Sequence, residues 1–161
     1  MLVKRYLTPS DFSTEETWRL VDWCMRQGAD EFTIDCLGSD ADAMAKTWRR
    51  FRKMVEPFAR GEKVRERMSG PTADELTRPT ELWELCVGSL GALRHVLSAG
   101  LMQYEPREDG WFENPVLYRD GELILGVLSH EAFAVLRVSE LEAGELASAG
   151  FITHDSLPRI G

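Results

Sequence analysis

Val116-Leu117-Tyr118-Arg119-Asp120-Gly121-Glu122-Leu123-Ile124-Leu125-Gly126-Val127-Leu128-Ser129 is the stretch on which the fold turns. The Asp-Gly pair at its centre tolerates two consecutive positive φ angles, which a type I′ turn requires. Apolar residues run on both sides of the pair, so residues 116–119 and 122–129 are expected as the arms of an antiparallel hairpin. Leu123, Leu125 and Val127 are expected on one face of the second arm, and Ile124 and Leu128 on the other. Apolar side chains on both faces mark a central, covered strand. A second turn at His130-Glu131 leads into residues 133–138, completing a three-stranded meander over about 116–138. Ser139 and Glu142 then have the spacing of a capping box, which starts a short helix ending at Gly150.

Toward the start of the chain, residues 2–7 read as a short strand closed by Thr8-Pro9. Ser13 and Glu16 repeat the capping-box spacing and open a helix over 14–27, with Trp18, Leu20, Val21, Cys24 and Met25 on one face and Gly28 just past its end. Residues 31–37 alternate Phe32, Ile34 and Cys36 against Thr33 and Asp35, the period of a strand. Asp40 or Asp42 caps a helix over 41–60 whose apolar stripe is Met44, Trp48, Phe51 and Val55. Pro57 ends or kinks that helix. Residues 63–69 fit an edge strand. Residues 69–80 hold two prolines and a glycine and are expected as an internal connection. Thr80 is read as the cap of a third helix over 81–98, with Leu82, Leu85, Cys86, Leu93, Val96 and Leu97 buried and Gly100 as its stop. Residues 103–115 are acidic and expected to be irregular.

Strands and helices are interspersed while the firmest pairing is antiparallel. The expected class is therefore α+β: a mixed or antiparallel sheet, with the C-terminal meander packed against three to four helices. The sequence leaves both parallel and antiparallel pairing open for residues 1–68. The 161 residues suit one globular domain, 1–161, able to bury about 68–70 % of its unfolded surface without a disulfide or a metal. A hydrophobic content of 43 %, with five Trp and seven Phe, supplies that core.

No run reaches the roughly 18 apolar residues of a membrane span, and Met1-Leu2-Val3-Lys4-Arg5-Tyr6 has no leader-like apolar region. Cys24, Cys36 and Cys86 are odd in number, far apart and set among apolar neighbours, which points to a reducing cytoplasm. The net charge of −8 is unevenly distributed. Residues 1–70 carry 13 basic and 12 acidic groups, whereas residues 71–161 carry 6 basic and 15 acidic.

Chemistry-bearing patterns are few. His130 and Glu131 sit at a turn, where the imidazole would act as a general base and the carboxylate would orient it, with Tyr118 or Arg119 nearby. No HExxH follows them. No GxSxG elbow is present, and Ser89 lies within an apolar helical stripe. No metal site is expected from three scattered histidines, His95, His130 and His154. Neither GxxxxGK[ST] nor GxGxxG occurs, so no nucleotide cofactor is expected. Trp48-Arg49-Arg50-Phe51-Arg52-Lys53 mixes aromatics with cations, but it sets them on opposite helix faces. Stacking on bases needs exposed aromatics, and the overall charge repels a polyanion, so nucleic acid is not an expected partner.

The most distinctive stretch is 103–122, where Glu105, Glu108, Asp109, Glu113, Asp120 and Glu122 face only Arg107 and Arg119. Trp111 and Phe112 are embedded in it. Acidic residues around an aromatic anchor form the kind of surface that steers and holds a basic protein. The expected function is a non-catalytic binding module that presents Glu105, Glu108, Asp109, Trp111, Phe112 and Glu113 to a basic partner. Small acidic neutralisers of a toxin-like enzyme have this profile. The alternative is a small-molecule enzyme or ligand-binding domain built near residues 129–131. Nothing in the sequence fixes an oligomeric state.

Overall fold

A computed structural model of the chain describes residues 1–11, 13–57, 62–68, 77–84 and 87–157, with backbone alone at 62–68, 77–84 and 87–89. Seven strands run in chain order: β1 (Leu2–Leu7), β2 (Glu31–Leu37), β3 (Glu62–Met68), β4 (Thr77–Glu84), β5 (Trp111–Arg119), β6 (Glu122–Leu128) and β7 (Phe133–Ser139). The helices are α1 (Thr14–Arg26), α2 (Ala41–Val55), α3 (Val87–Val96) and α4 (Glu140–Ser148). All seven strands join one sheet in the order β1-β7-β6-β5-β2-β4-β3, and every pairing is antiparallel. The fold is α+β, and residues 1–68 contain no parallel pair among the described strands. No helix among the described residues is long and apolar enough to cross a membrane.

The meander forms as the turn chemistry requires. Asp120 and Gly121 take φ angles of 52° and 79°, the two positive values of a type I′ turn. Ser139 caps α4 through a complete capping box with Glu142. At the start of α1, the Ser13 side chain accepts the Glu16 amide, and Gly28 beyond its end takes φ 100°. The four helices bury their apolar faces on one side of the sheet, where Trp18, Phe51, Leu93 and Leu146 join Phe32, Leu125 and Leu136 in the main core. Val116, Tyr118 and Leu123 form a second, smaller cluster.

Four sequence expectations are corrected here. Residues 81–84 are strand: Trp83 is the register partner of both Phe32 in β2 and Glu62 in β3, and the third helix begins only at Val87. Sheet pairing outweighs a helical spacing that Leu82 satisfied. Residues 77–80 of the expected connection likewise belong to β4, whereas residues 69–76, Leu85 and Cys86 lie outside the described residues. The buried stripe of α2 is Ala43, Thr47, Phe51 and Val55. Met44 is exposed and Trp48 half-buried, because Thr47 turns inward and its hydroxyl donates to the Ala43 carbonyl at 2.9 Å. Finally, Leu123 does not share a face with Leu125. The pairing of β5 with β6 slips between Leu117↔Leu125 and Tyr118↔Leu123, and the extra residue sends Leu123 to the smaller cluster.

A second irregularity lies within β5. Thr33 pairs with Val116 but Asp35 with Glu113, so β5 carries an extra residue there, and Asn114 sits at φ 54°. Its side chain is used completely. Its Nδ2 donates to Asp35 Oδ2 at 3.0 Å and to Glu113 Oε1 at 3.3 Å, and its Oδ1 accepts the Ser129 amide at 2.8 Å. The Asn114 amide in turn donates to the Ser129 hydroxyl at 2.8 Å. Trp111 Nε1 donates to Glu113 Oε2 at 3.0 Å. Two directly opposed carboxylates, only 9 % and 6 % exposed, thus share one amide.

At the outer edge of the sheet, the chain beyond α4 folds back over β1. Tyr6 and His154 exchange backbone hydrogen bonds of 2.8 and 2.9 Å. The imidazole Nε2 lies 3.0 Å from Asp11 Oδ1, and the Thr8 amide also donates to Asp11. Burial pushes the Asp11 carboxyl up, but hydrogen bonds from Thr8 and His154 outweigh it and leave the group below its ordinary range.

Candidate functional site

The residues expected to bind a partner lie on one loop and on the strand that follows it. The loop begins where α3 stops. Gly100, at φ 118°, donates to the Leu97 carbonyl at 2.9 Å, while Gln103 Oε1 accepts the Ala99 amide at 3.0 Å. Leu101 is buried in the core, so the chain must turn outward again after it. Glu105, Arg107, Glu108 and Asp109 are all exposed, and Arg107 pairs with Glu105 at 3.4 Å.

The far end of the loop is pinned at two points. The Ser39 hydroxyl donates to the Glu108 carbonyl at 2.9 Å. Gly110 takes φ 109° and lies so close to α2 that an added Cβ would come within 1.8 Å of Thr47 Oγ1 and 2.9 Å of the Leu37 carbonyl. Gly110→Ala is therefore expected to cost about 2 kcal/mol through the left-handed backbone and the displaced contact. Hydrogen exchange would show lost protection at the Gly110 amide, which donates to the Arg107 carbonyl. Unchanged protection there would mean that the loop is not held by this seat.

The structure divides the expected binding residues. Glu105, Glu108 and Asp109 form the exposed rim, and Trp111 is half-buried behind them. Phe112 and Glu113 are corrected: both are 6 % exposed, since β5 already begins at Trp111 and its pairing with β2 takes them inside. Phe112 packs on Phe51 with ring centroids 5.9 Å apart, and Glu113 is engaged by Trp111 and Asn114. Residues 103–110 are irregular as expected, but residues 111–115 are strand.

The alternative site does not assemble. His130 and Glu131 lie in a 3-10 turn after β6, both exposed and 3.6 Å apart, with Tyr104 beside the imidazole at 6.4 Å between ring centroids. Arg119 ends β5 at the opposite end of that hairpin, about 20 Å away by strand length. Tyr118 is buried and lies 3.4 Å from the Thr33 hydroxyl. Consecutive turns of a meander fall at opposite ends of the sheet, so these four residues are not one cluster.

Behind the acidic rim lies a cleft of about 210 Å³, between the later half of α2, the last turn of α3 and the loop. Arg50, Met54, His95 and Val96 line its helical wall, and Glu105, Arg107, Asp109 and Trp111 its loop wall. The Arg50 guanidinium lies over the Phe112 ring, 5.1 Å from its centroid. The sequence located the rim but missed the helical wall. The exposed charges of α2 looked merely solvated, and no spacing rule links Arg50 to His95 across 45 residues. The one local sign was Gly110, a glycine between a loop and a strand, where close approach is common. Among the described residues, no group of three or more His, Cys, Asp or Glu is placed to hold a metal ion.

Fold and site together define an α+β domain with an acidic, anchored loop bordering a small cleft of mixed charge. The chain matches no family model, no curated protein and no solved structure.

Proposed function

We propose that the chain is a non-catalytic binding module that engages a basic protein through the loop at residues 103–110. The observation that carries this reading is the rim itself. Glu108 and Asp109 are exposed, make no ion pair among the described residues, and stand on a backbone fixed by Ser39 and by the Gly110 seat. Carboxylates held in place lose little entropy when a partner's Lys or Arg arrives, and their field speeds the encounter. Exposed Asp40 lies next to Ser39 and extends the negative surface. A basic toxin-like enzyme is the form of partner that suits a chain of net charge −8.

The cytoplasm is the proposed location. Cys24 and Cys36 are free and buried, and burial pushes both thiols well above their ordinary range, so they behave as inert core residues. Co-purification from the native host at low and at moderate salt tests the proposal. One basic protein should be retained at low salt, be lost as salt rises, and be absent with Glu108→Lys/Asp109→Lys. Equal recovery with that double variant would refute the role of the rim.

A further inference from the structure

We propose that the cleft behind the rim binds a free α-amino acid, its carboxylate on Arg50 and its ammonium on Asp109. Three features of the cleft support this assignment. Its two walls carry opposite bare charges. Arg50 lies over the Phe112 ring, Glu105 is occupied by Arg107, and among the described residues Arg50 has no carboxylate and Asp109 no cation within ion-pair distance. A guanidinium is planar by its own delocalisation, and one placed over a ring still offers paired N–H groups, the arrangement that receives a carboxylate through two hydrogen bonds. His95, in the last turn of α3, adds a further donor on the same wall.

Charge then selects the ligand. A simple anion would meet Glu105 and Asp109 across the cleft, and a simple cation would meet Arg50 and Arg107. A zwitterion satisfies both walls at once and costs neither its counterpart. The volume of about 210 Å³ is below the roughly 300–1,000 Å³ of drug-sized sites. That suits a ligand of single-residue size, and Met54, Val96 and Trp111 offer it an apolar side.

This binding does not depend on a protein partner, and its test uses none. Isotope-labelled full-length protein is titrated with free methionine, leucine and lysine, and in parallel with acetate and with methylammonium, while amide and indole N–H resonances are followed. At least one amino acid should give saturable shifts at the Gly110 amide and the Trp111 indole, and neither acetate nor methylammonium should reproduce them. Arg50→Ala and Asp109→Asn should each weaken binding tenfold or more, and Arg50→Lys should weaken it less than Arg50→Ala. Both positions are exposed, so the variants should keep the remaining resonances in place. The inference is overturned if no amino acid saturates those resonances. Binding unchanged in Arg50→Ala or in Asp109→Asn, or acetate alone giving the same shifts, would overturn it equally.

Discussion

Asn114→Asp is expected to destabilise the protein by about 4 kcal/mol or more at neutral pH, the largest effect of any single change proposed here. The backbone is not the reason, since aspartate tolerates the positive φ of residue 114 nearly as well as asparagine does. The cause lies in the side chain. Its Nδ2 donates to both Asp35 and Glu113, two buried carboxylates in direct register across β2 and β5. Replacing that donor with a third carboxylate removes two hydrogen bonds and adds like charge where water cannot screen it.

The pH dependence follows from the direction of the shift. Neighbouring carboxylates would raise the pKa of the new group in the folded state above its unfolded value. Its neutral form is then tolerated below the unfolded pKa, and stability falls as pH rises through the raised folded one. Denaturant titrations of both proteins at pH 4 and pH 7 should show the gap widening toward pH 7. A gap below about 1 kcal/mol at neutral pH would show that the carboxylates do not rely on Asn114.

Arg119→Met should cost about 2–3 kcal/mol at neutral pH. Arg119 ties three elements at one end of the sheet. Its NH1 donates to the Gln27 carbonyl at 3.1 Å where α1 ends, and its NH2 to Glu142 Oε2 at 3.3 Å where α4 begins. The Arg119 and Glu142 side chains are only 22 % and 14 % exposed, so solvent screens the pair weakly. Hydrogen bonding from Arg119, opposed by burial, holds the Glu142 carboxyl below its ordinary range, with help from the Ser139 amide at 2.8 Å.

A folded-state pKa below the unfolded one contributes stability that is present at neutral pH and lost as pH falls through it. The difference between wild type and Arg119→Met should therefore shrink on acidification. Adding Glu142→Gln to Arg119→Met should recover much of the loss, because the buried charge is then gone. Strict additivity of the two single changes would argue against coupling between them.

Much of the fold was written locally. Asp120-Gly121 names its own turn, and Ser139 with Glu142 names its own helix start, because each pattern meets a requirement of the adjacent backbone. The errors arose where partners are distant. Residues 81–84 become strand because β2 and β3 supply ladders on both sides, and neither ladder is visible in the local spacing. Leu123 changes face because of a slip in pairing, which no alternation rule can register. The site behaves likewise. Glu105, Glu108 and Asp109 were legible as exposed charge. The burial of Phe112 and Glu113 depended on β5 starting at Trp111, and the helical wall of the cleft depended on how α2 and α3 lie together.

The place of β1 bears on how the chain acquires its structure. Among the described strands β1 pairs with β7, Leu2 opposite Ser139 and Leu7 opposite Ala134, while on its other edge Tyr6 bridges His154, so this pairing also closes the longest loop. Bringing such remote segments together costs entropy before any contact repays it, and topologies of this kind fold slowly. The β5-β6-β7 meander needs only short loops and can form ahead of it. During synthesis, residues 2–7 leave the ribosome long before residues 133–139 and have no partner in β7 until those emerge. β1 is thus made well before it can be seated on β7. Until then β7 presents an open edge on which a second copy of residues 2–7 could pair as well as its own.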